Sequence, residues 1–182
     1  MKKVAVILAP GYEEIEAIAP VDILRRAGIE VIVAGLTPDP VPSARNVKVV
    51  PDTTVDNLRA EELDMIILPG GAGGVENLKK DDRVRRLVED MRNRNRTVAA
   101  ICAAPTALVA YGVLGNRKAT VYPSLKDNLG NAVYVEDKVV VDDGIVTSQG
   151  PGTAIEFGLK LVEILIGYDK AKEVAERILV EY

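Results

Sequence analysis

The chain has 182 residues, 23 Lys+Arg against 27 Asp+Glu and no histidine, giving a formal net charge of −4 at pH 7. At 48% hydrophobic and 27% charged it has the composition of one globular domain, residues 1–182, able to bury roughly 70% of its unfolded surface, which excludes disordered, collagen-like and coiled-coil classes. Without imidazole there is no Ser-His-Asp triad, no Cys-His dyad and little scope for zinc or non-haem iron, while the single cysteine, Cys102, forbids an internal disulfide and suits a reducing cytoplasm.

In chain order, KVAVILA (3–9) predicts a first strand, and Pro10-Gly11 followed by Glu13 and Glu14 stops the apolar run short of a signal-peptide core. EEIEAIAPVDILRRAG (13–28) predicts a helix with Ile15, Ile18, Val21, Ile23 and Leu24 clustered on one face and Gly28 as its stop. With IEVIVAG (29–35) as the next strand, this is a βαβ unit with a right-handed parallel crossover. DMIILPG (64–70) and TVAAIC (97–102) are further strands, and their continuous apolarity predicts burial on both faces.

Between those two strands, DDRVRRLVEDMRNRNR (81–96) places Val84, Leu87, Val88 and Met91 at helical spacing. Its arginines read as a solvated face and not as a nucleic-acid site, because acids are interleaved and no stacking aromatics accompany them. Val98–Gly115 carries no charge, but Pro105 breaks it and its character changes midway, so it reads as a buried strand entering a buried helix and not as a membrane span. KVVVDDGIVTS (138–148) predicts a hairpin turning at Asp142-Asp143-Gly144. GPGTAIEFGLKLVEILIG (150–167) predicts a helix opened by Pro151, and an amphipathic segment, DKAKEVAERILV (169–180), follows. The pattern is α/β, a mostly parallel sheet between helices in a doubly wound domain.

In such a sheet, chemistry is expected where strands end and loops enter helices. Cys102 stands at such a turn in ICAAPTAL, like a nucleophile elbow, where following N–H groups face a developing oxyanion and a helix N-terminus lowers the thiol pKa. The plainer reading is a buried, inert cysteine. Of the carboxylates after the first strand, Glu13 and Glu14 are accounted for by the helix dipole. Glu16, three residues beyond Glu13, can turn inward and share one proton with the thiol. LPGGAGG (68–74) offers the N–H groups of Gly70 and Gly71 as an anion nest, although it lacks the Lys-Ser/Thr of a phosphate loop.

LAPGYEEIEA, PVDILRRAG, LPGG, AAICAAPTAL, PSLKD and TSQGPGTAIEFGLKLVE together resemble the ThiJ/PfpI superfamily, in the branch of Parkinson disease protein seven, nearly end to end and in the right order. The resemblance implies a flavodoxin-like fold, a homodimer and an oxidation-sensitive Cys102 hydrogen-bonded by Glu16. It further implies an oxyanion pocket at Gly70, Gly71 and Ala103, a pocket arginine at Arg45, and a dimer-facing Gly150–Thr153 turn that includes Pro151. Two departures stand out. Tyr122 occupies a position where several members carry histidine, and packing explains a tyrosine there better than catalysis does. Ala103 replaces the histidine that follows the nucleophile in the peptidase branch, which disfavours proteolysis.

The expected activity is a metal-free, cofactor-independent glyoxalase or deglycase acting on methylglyoxal or its early adducts with amines and thiols and yielding lactate. The alternative is a redox-sensing stress protein or chaperone in which Cys102 oxidises to a sulfinate without turnover. Neither membrane attachment nor specific nucleic-acid binding is expected.

Overall fold

A computed structural model describes residues 1–182. Its main sheet contains β1 (Lys3–Leu8), β2 (Glu30–Gly35), β5 (Thr53–Thr54), β6 (Met65–Leu68), β7 (Thr97–Ile101), β10 (Val139–Asp142) and β11 (Ile145–Ser148). They lie in the order β10-β11-β7-β6-β1-β2-β5, all parallel except the β10–β11 hairpin. Two small pairs, β3 (Val41–Pro42) with β4 (Lys48–Val49) and β8 (Lys118–Ala119) with β9 (Val133–Tyr134), lie outside it.

Six helices cover the sheet. α1 (Glu14–Arg26), α5 (Ala154–Leu165) and α6 (Tyr168–Arg177) pack on one face, and α2 (Ala72–Lys80), α3 (Asp82–Asn93) and α4 (Pro105–Ala110) pack on the other. Alternate β1 residues therefore enter different cores, with Ala5 and Ile7 in one and Val4, Val6 and Leu8 in the other. This is why the strand sequences are apolar at every position. Each buried Val, Leu or Ile contributes roughly 1.5–3 kcal/mol relative to exposure. No helix is long and apolar enough to cross a membrane.

One helical face differs from its sequence reading. Val21, Ile23 and Leu24 are buried, whereas Ile15 and Ile18 are 53% and 42% exposed. The inward stripe of α1 is Ala17, Pro20, Val21 and Leu24, an i, i+3, i+4, i+7 set. Ile15 lies on the opposite side of that stripe and Ile18 at its margin. The 72–80 segment also forms a helix that periodicity alone did not indicate, because Gly73 and Gly74 weaken its apolar pattern.

Candidate active site

Strand order reverses between β1 and β6, the two strands from which the chain winds outward in opposite directions. Their following loops diverge there and leave a crevice at the carboxyl edge of the sheet. The loop after β1 brings Glu13 and the start of α1, the loop after β6 brings Gly70 and Gly71, and neighbouring β7 ends at Ile101 and delivers Cys102.

Cys102 has φ +63, in the left-handed region. Three of the other four non-glycine residues with positive φ are Asn or Asp, which tolerate it through local hydrogen bonds. For cysteine the conformation costs about 1–3 kcal/mol, which the surroundings must offset. They do so from both sides: the Cys102 N–H donates to the Ser148 carbonyl at 2.9 Å, and the Tyr122 N–H donates to the Cys102 carbonyl at 2.9 Å. The turn is thus held by strand β11 and by the segment before the short helix at Pro123.

Glu16 is fully buried. Its N–H donates to Glu13 Oε2 at 2.9 Å, and its own Oε2 accepts the Gly70 N–H at 2.9 Å. Oε1 is buried without a hydrogen-bond partner of normal geometry, and the Cys102 thiol is the polar hydrogen that interacts with this carboxyl. A Cβ on residue 70 would come within 2.3 Å of Glu16 Oε2 and 2.6 Å of Cys102 Cβ, so only glycine lets the thiol and the carboxyl approach. Gly71, at φ +90, is equally confined, because a Cβ there would lie 2.4 Å from the Gly11 carbonyl oxygen.

Burial pushes the Glu16 carboxyl up to about 7, and the Glu13 charge adds to this, while the Cys102 thiol and the Gly70 N–H oppose it. Burial, followed by the Glu16 charge and the hydrogen bond to it, pushes the Cys102 thiol up to about 12, against the opposing N–H groups of Gly71 and Ala103. The expected lowering of the thiol pKa is therefore corrected. α4 begins only at Pro105 and spans six residues, too little to outweigh a neighbouring carboxylate in a desolvated site. Between these two values the pair holds a single proton.

Glu16 and Cys102 open into a cavity of about 710 Å³, whose walls also include Glu13, Arg45, Gly71, Tyr122 and Pro151. Gly70 and Ala103 stand behind the pair and act through their N–H groups. Gly150 backs the Tyr122 ring, a Cβ there lying 3.3 Å from Tyr122 Cδ2. The Tyr122 side of the site is more open than simple packing implied, since the residue is 46% exposed. No group of three or more Cys, Asp or Glu side chains is arranged to hold a metal ion.

Two acids that the sequence reading assigned to the helix dipole have further contacts. Glu13 caps α1 and borders the cavity. Glu14 Oε1 accepts both the Ser43 hydroxyl and the Arg45 N–H, the latter at 2.8 Å, and so fastens the β3–β4 hairpin to α1. The only available sign in the sequence was the run of three glutamates within four residues.

The sequence profile of the DJ-1/PfpI family matches residues 2–164. Protein dj-1beta of Drosophila melanogaster is 46% identical, covering 100% of this chain and 98% of its own length. Its crystal structure superposes with a TM-score of 0.97 and covers 100% of this chain and 99% of that one. The Parkinson disease protein 7 homolog of Danio rerio is 40% identical across 99% of this chain and 98% of its own. A Caenorhabditis elegans protein named glutathione-independent glyoxalase DJR-1.2 is 39% identical across 93% of this chain and 92% of its own. With full-length sequence agreement and the same sheet, this chain belongs to the DJ-1/PfpI family.

Proposed function

We propose that the chain is a cofactor-independent, cysteine-dependent glyoxalase or deglycase, acting on methylglyoxal or its early adducts with amines and thiols and giving lactate. The observation that carries this reading is the pairing of Cys102, held at positive φ, with a buried carboxyl pushed up to about 7 inside a cavity. A general base performs best when its pKa lies near the working pH. The name of the nematode relative supports the same reaction class.

In this mechanism Glu16 takes the thiol proton as sulfur adds to the aldehyde carbon. The S–C bond forms, the carbonyl π pair moves onto oxygen, and the N–H groups of Gly71 and Ala103 stabilise that oxyanion until the proton arrives from Glu16. Glu16 then removes the C1 hydrogen as a proton, giving an enediolate with its charge on the second oxygen, and returns that proton to C2, while the C1 hydroxyl proton passes to the second oxygen as C1 becomes the thioester carbonyl. C1 is thereby oxidised and C2 reduced within one molecule, leaving a lactoyl thioester. Water cleaves the thioester to lactate and the free thiol. With no imidazole in the chain, one carboxyl carries every proton, and turnover is expected at ~1 per second or below.

The active form is proposed to be a cytoplasmic homodimer. Exposed Ile15 and Ile18 on α1 and exposed Ile155 on the adjoining α5 support an apolar contact face. The test is lactate formation from methylglyoxal by purified protein without added thiol or metal, for wild type, Cys102→Ser and Glu16→Gln. Activity in wild type alone supports the enzyme. Inactive wild type whose Cys102 oxidises readily to a sulfinate replaces it with the redox-sensing or chaperone reading.

A further inference from the structure

Glu13 and Glu16 border the same cavity but differ in their access to it. Glu16 is sealed: the residue has no exposed surface, its Oε2 is taken by the Gly70 N–H at 2.9 Å, and its Oε1 is buried. Glu13 is pinned at the cavity edge. Its N–H donates to the Gly70 carbonyl at 3.0 Å, its carbonyl accepts the Ala17 N–H at 3.2 Å, and its Oε2 accepts the Glu16 N–H at 2.9 Å. Oε1 is left over. It stands 3.9 Å from Arg45 Nη1, beyond hydrogen-bond length, and is not enclosed by protein as Glu16 Oε1 is. Gly71 links this acid to the sulfur side of the cavity: a Cβ on residue 71 would lie 2.7 Å from the Glu13 nitrogen, and the Gly71 N–H faces the Cys102 sulfur.

The reaction proposed above ends with a thioester that water must cleave, and the cavity wall offers few side-chain bases for that water. Cys102 is then acylated, the Arg45 guanidinium has donors only, and a neutral phenol, as at Tyr122, is a poor base. Glu16 presents no surface to water. Glu13 Oε1 is the carboxylate oxygen that remains. We propose that Glu13 is a second catalytic residue, the general base that draws a proton from the water hydrolysing the Cys102 thioester, while Glu16 serves the thiol and the substrate carbons. This deepens the glyoxalase reading, rests on it for the thioester, and moves the last proton transfer from Glu16 to Glu13. The water oxygen bonds to C1 as one of its protons passes to Glu13 Oε1, and the carbonyl π pair moves onto the oxygen held by the N–H groups of Gly71 and Ala103. That pair returns, the C–S bond breaks, and sulfur leaves with the bonding electrons. Sulfur regains a proton from the new carboxylic acid through Glu16, and Glu13 releases its own to solvent. The sum is thioester and water giving lactate, thiol and one proton.

An acetyl group placed on Cys102 by p-nitrophenyl acetate isolates this step, because it forms a thioester without any isomerisation. Once excess ester is removed, samples quenched in acid at intervals and read by mass spectrometry give the decay of acetyl-Cys102. Glu13→Gln keeps an oxygen that can accept the Glu16 N–H but is not a base. Its acetyl group should decay about a hundredfold more slowly than that of wild type. Glu13→Asp should recover part of the rate. Hydroxylamine cleaves thioesters without help from a base, and it should clear acetyl-Cys102 equally fast from wild type and Glu13→Gln, which a collapsed or blocked cavity would not allow. With methylglyoxal, the lactoyl form of Cys102 should persist in the same variant.

Equal decay in wild type and Glu13→Gln overturns the proposal, as does slow decay that hydroxylamine does not relieve. If wild type forms no lactate from methylglyoxal yet the acetyl group persists in the variant, the glyoxalase reading fails while the role of Glu13 in thioester hydrolysis stands. If lactate forms and the two decays match, the glyoxalase reading stands without Glu13. If neither compound acylates Cys102 of wild type, both fail.

Discussion

Glu14 and Glu16 leave the first turn of α1 in different directions and meet different surroundings. Glu16 turns into the crevice between β1 and β6, where Oε2 takes a single backbone N–H, Oε1 has no hydrogen-bond partner and the Cys102 thiol interacts with the carboxyl. Glu14 turns toward the β3–β4 hairpin. Burial pushes it up as well, but the Ser43 hydroxyl, its own N–H and the Arg45 N–H outweigh burial and hold it below the usual carboxylate range. Desolvation has the same sign at both sites but bears harder on the fully buried Glu16, where the Glu13 charge adds to it, than on the partly buried Glu14, where three donors and the Arg45 charge outweigh it. The two carboxyls are thereby pushed in opposite directions, which suits Glu16 to hold a proton and Glu14 to anchor the hairpin.

The most severe way to break this contrast is to remove the thiol that Glu16 serves. Cys102→Ser is expected to lower lactate formation by at least about a thousandfold, measured as initial rate at saturating methylglyoxal, since removing a nucleophile disables the whole unit. Glu16→Gln keeps the shape but cannot carry a proton, and kcat should fall by about a hundredfold or more. Gly70→Ala tests the packing that joins the two groups. A methyl within 2.3 Å of Glu16 Oε2 forces the carboxyl aside, and thermal unfolding should register a loss of about 1–3 kcal/mol.

The smallest effect sharpens the comparison through pH. Glu16 has a folded pKa raised from 4.5 to about 7. The native state therefore keeps a proton that the unfolded chain releases, and stability falls as pH rises through that window. Glu14 has a lowered folded pKa, so its contribution is present above the ordinary carboxylate range and is lost as pH falls through the folded value. Unfolding followed against pH should show Glu16→Gln removing the neutral-range loss and Glu14→Gln removing part of the acid-range loss.

The fold was largely legible because strands buried on both faces write themselves as unbroken apolar runs. β1, β2, β6 and β7 all carry that mark. The pairs β3–β4 and β8–β9 do not, being two residues per strand and held by contacts distant in sequence. Ile15 and Ile18 were misplaced because the apolar face was drawn too wide: the stripe that meets the core runs through Ala17, Pro20, Val21 and Leu24, with Ile15 opposite it and Ile18 at its margin. At the site, Cys102, Glu16 and Gly70 followed from strand-end positions and from the resemblance. The thiol pKa did not, because its direction depends on desolvation and on a carboxyl brought from 86 residues away in sequence. Glu14 was passed over for a similar reason: its partners Ser43 and Arg45 become neighbours only when the hairpin folds onto α1.

The central claim is that a carboxyl poised near neutral pH activates the cysteine of a chain that contains no histidine. It is tested most directly by the rate of iodoacetamide labelling of Cys102 between pH 5 and pH 10, compared between wild type and Glu16→Gln. Wild type should rise through about pH 7 as Glu16 loses its proton and becomes able to accept that of the thiol. The variant should lack this step and label slowly until the thiol itself ionises at higher pH. Identical profiles for the two proteins would contradict the account, because Glu16 would then have no part in making the sulfur reactive.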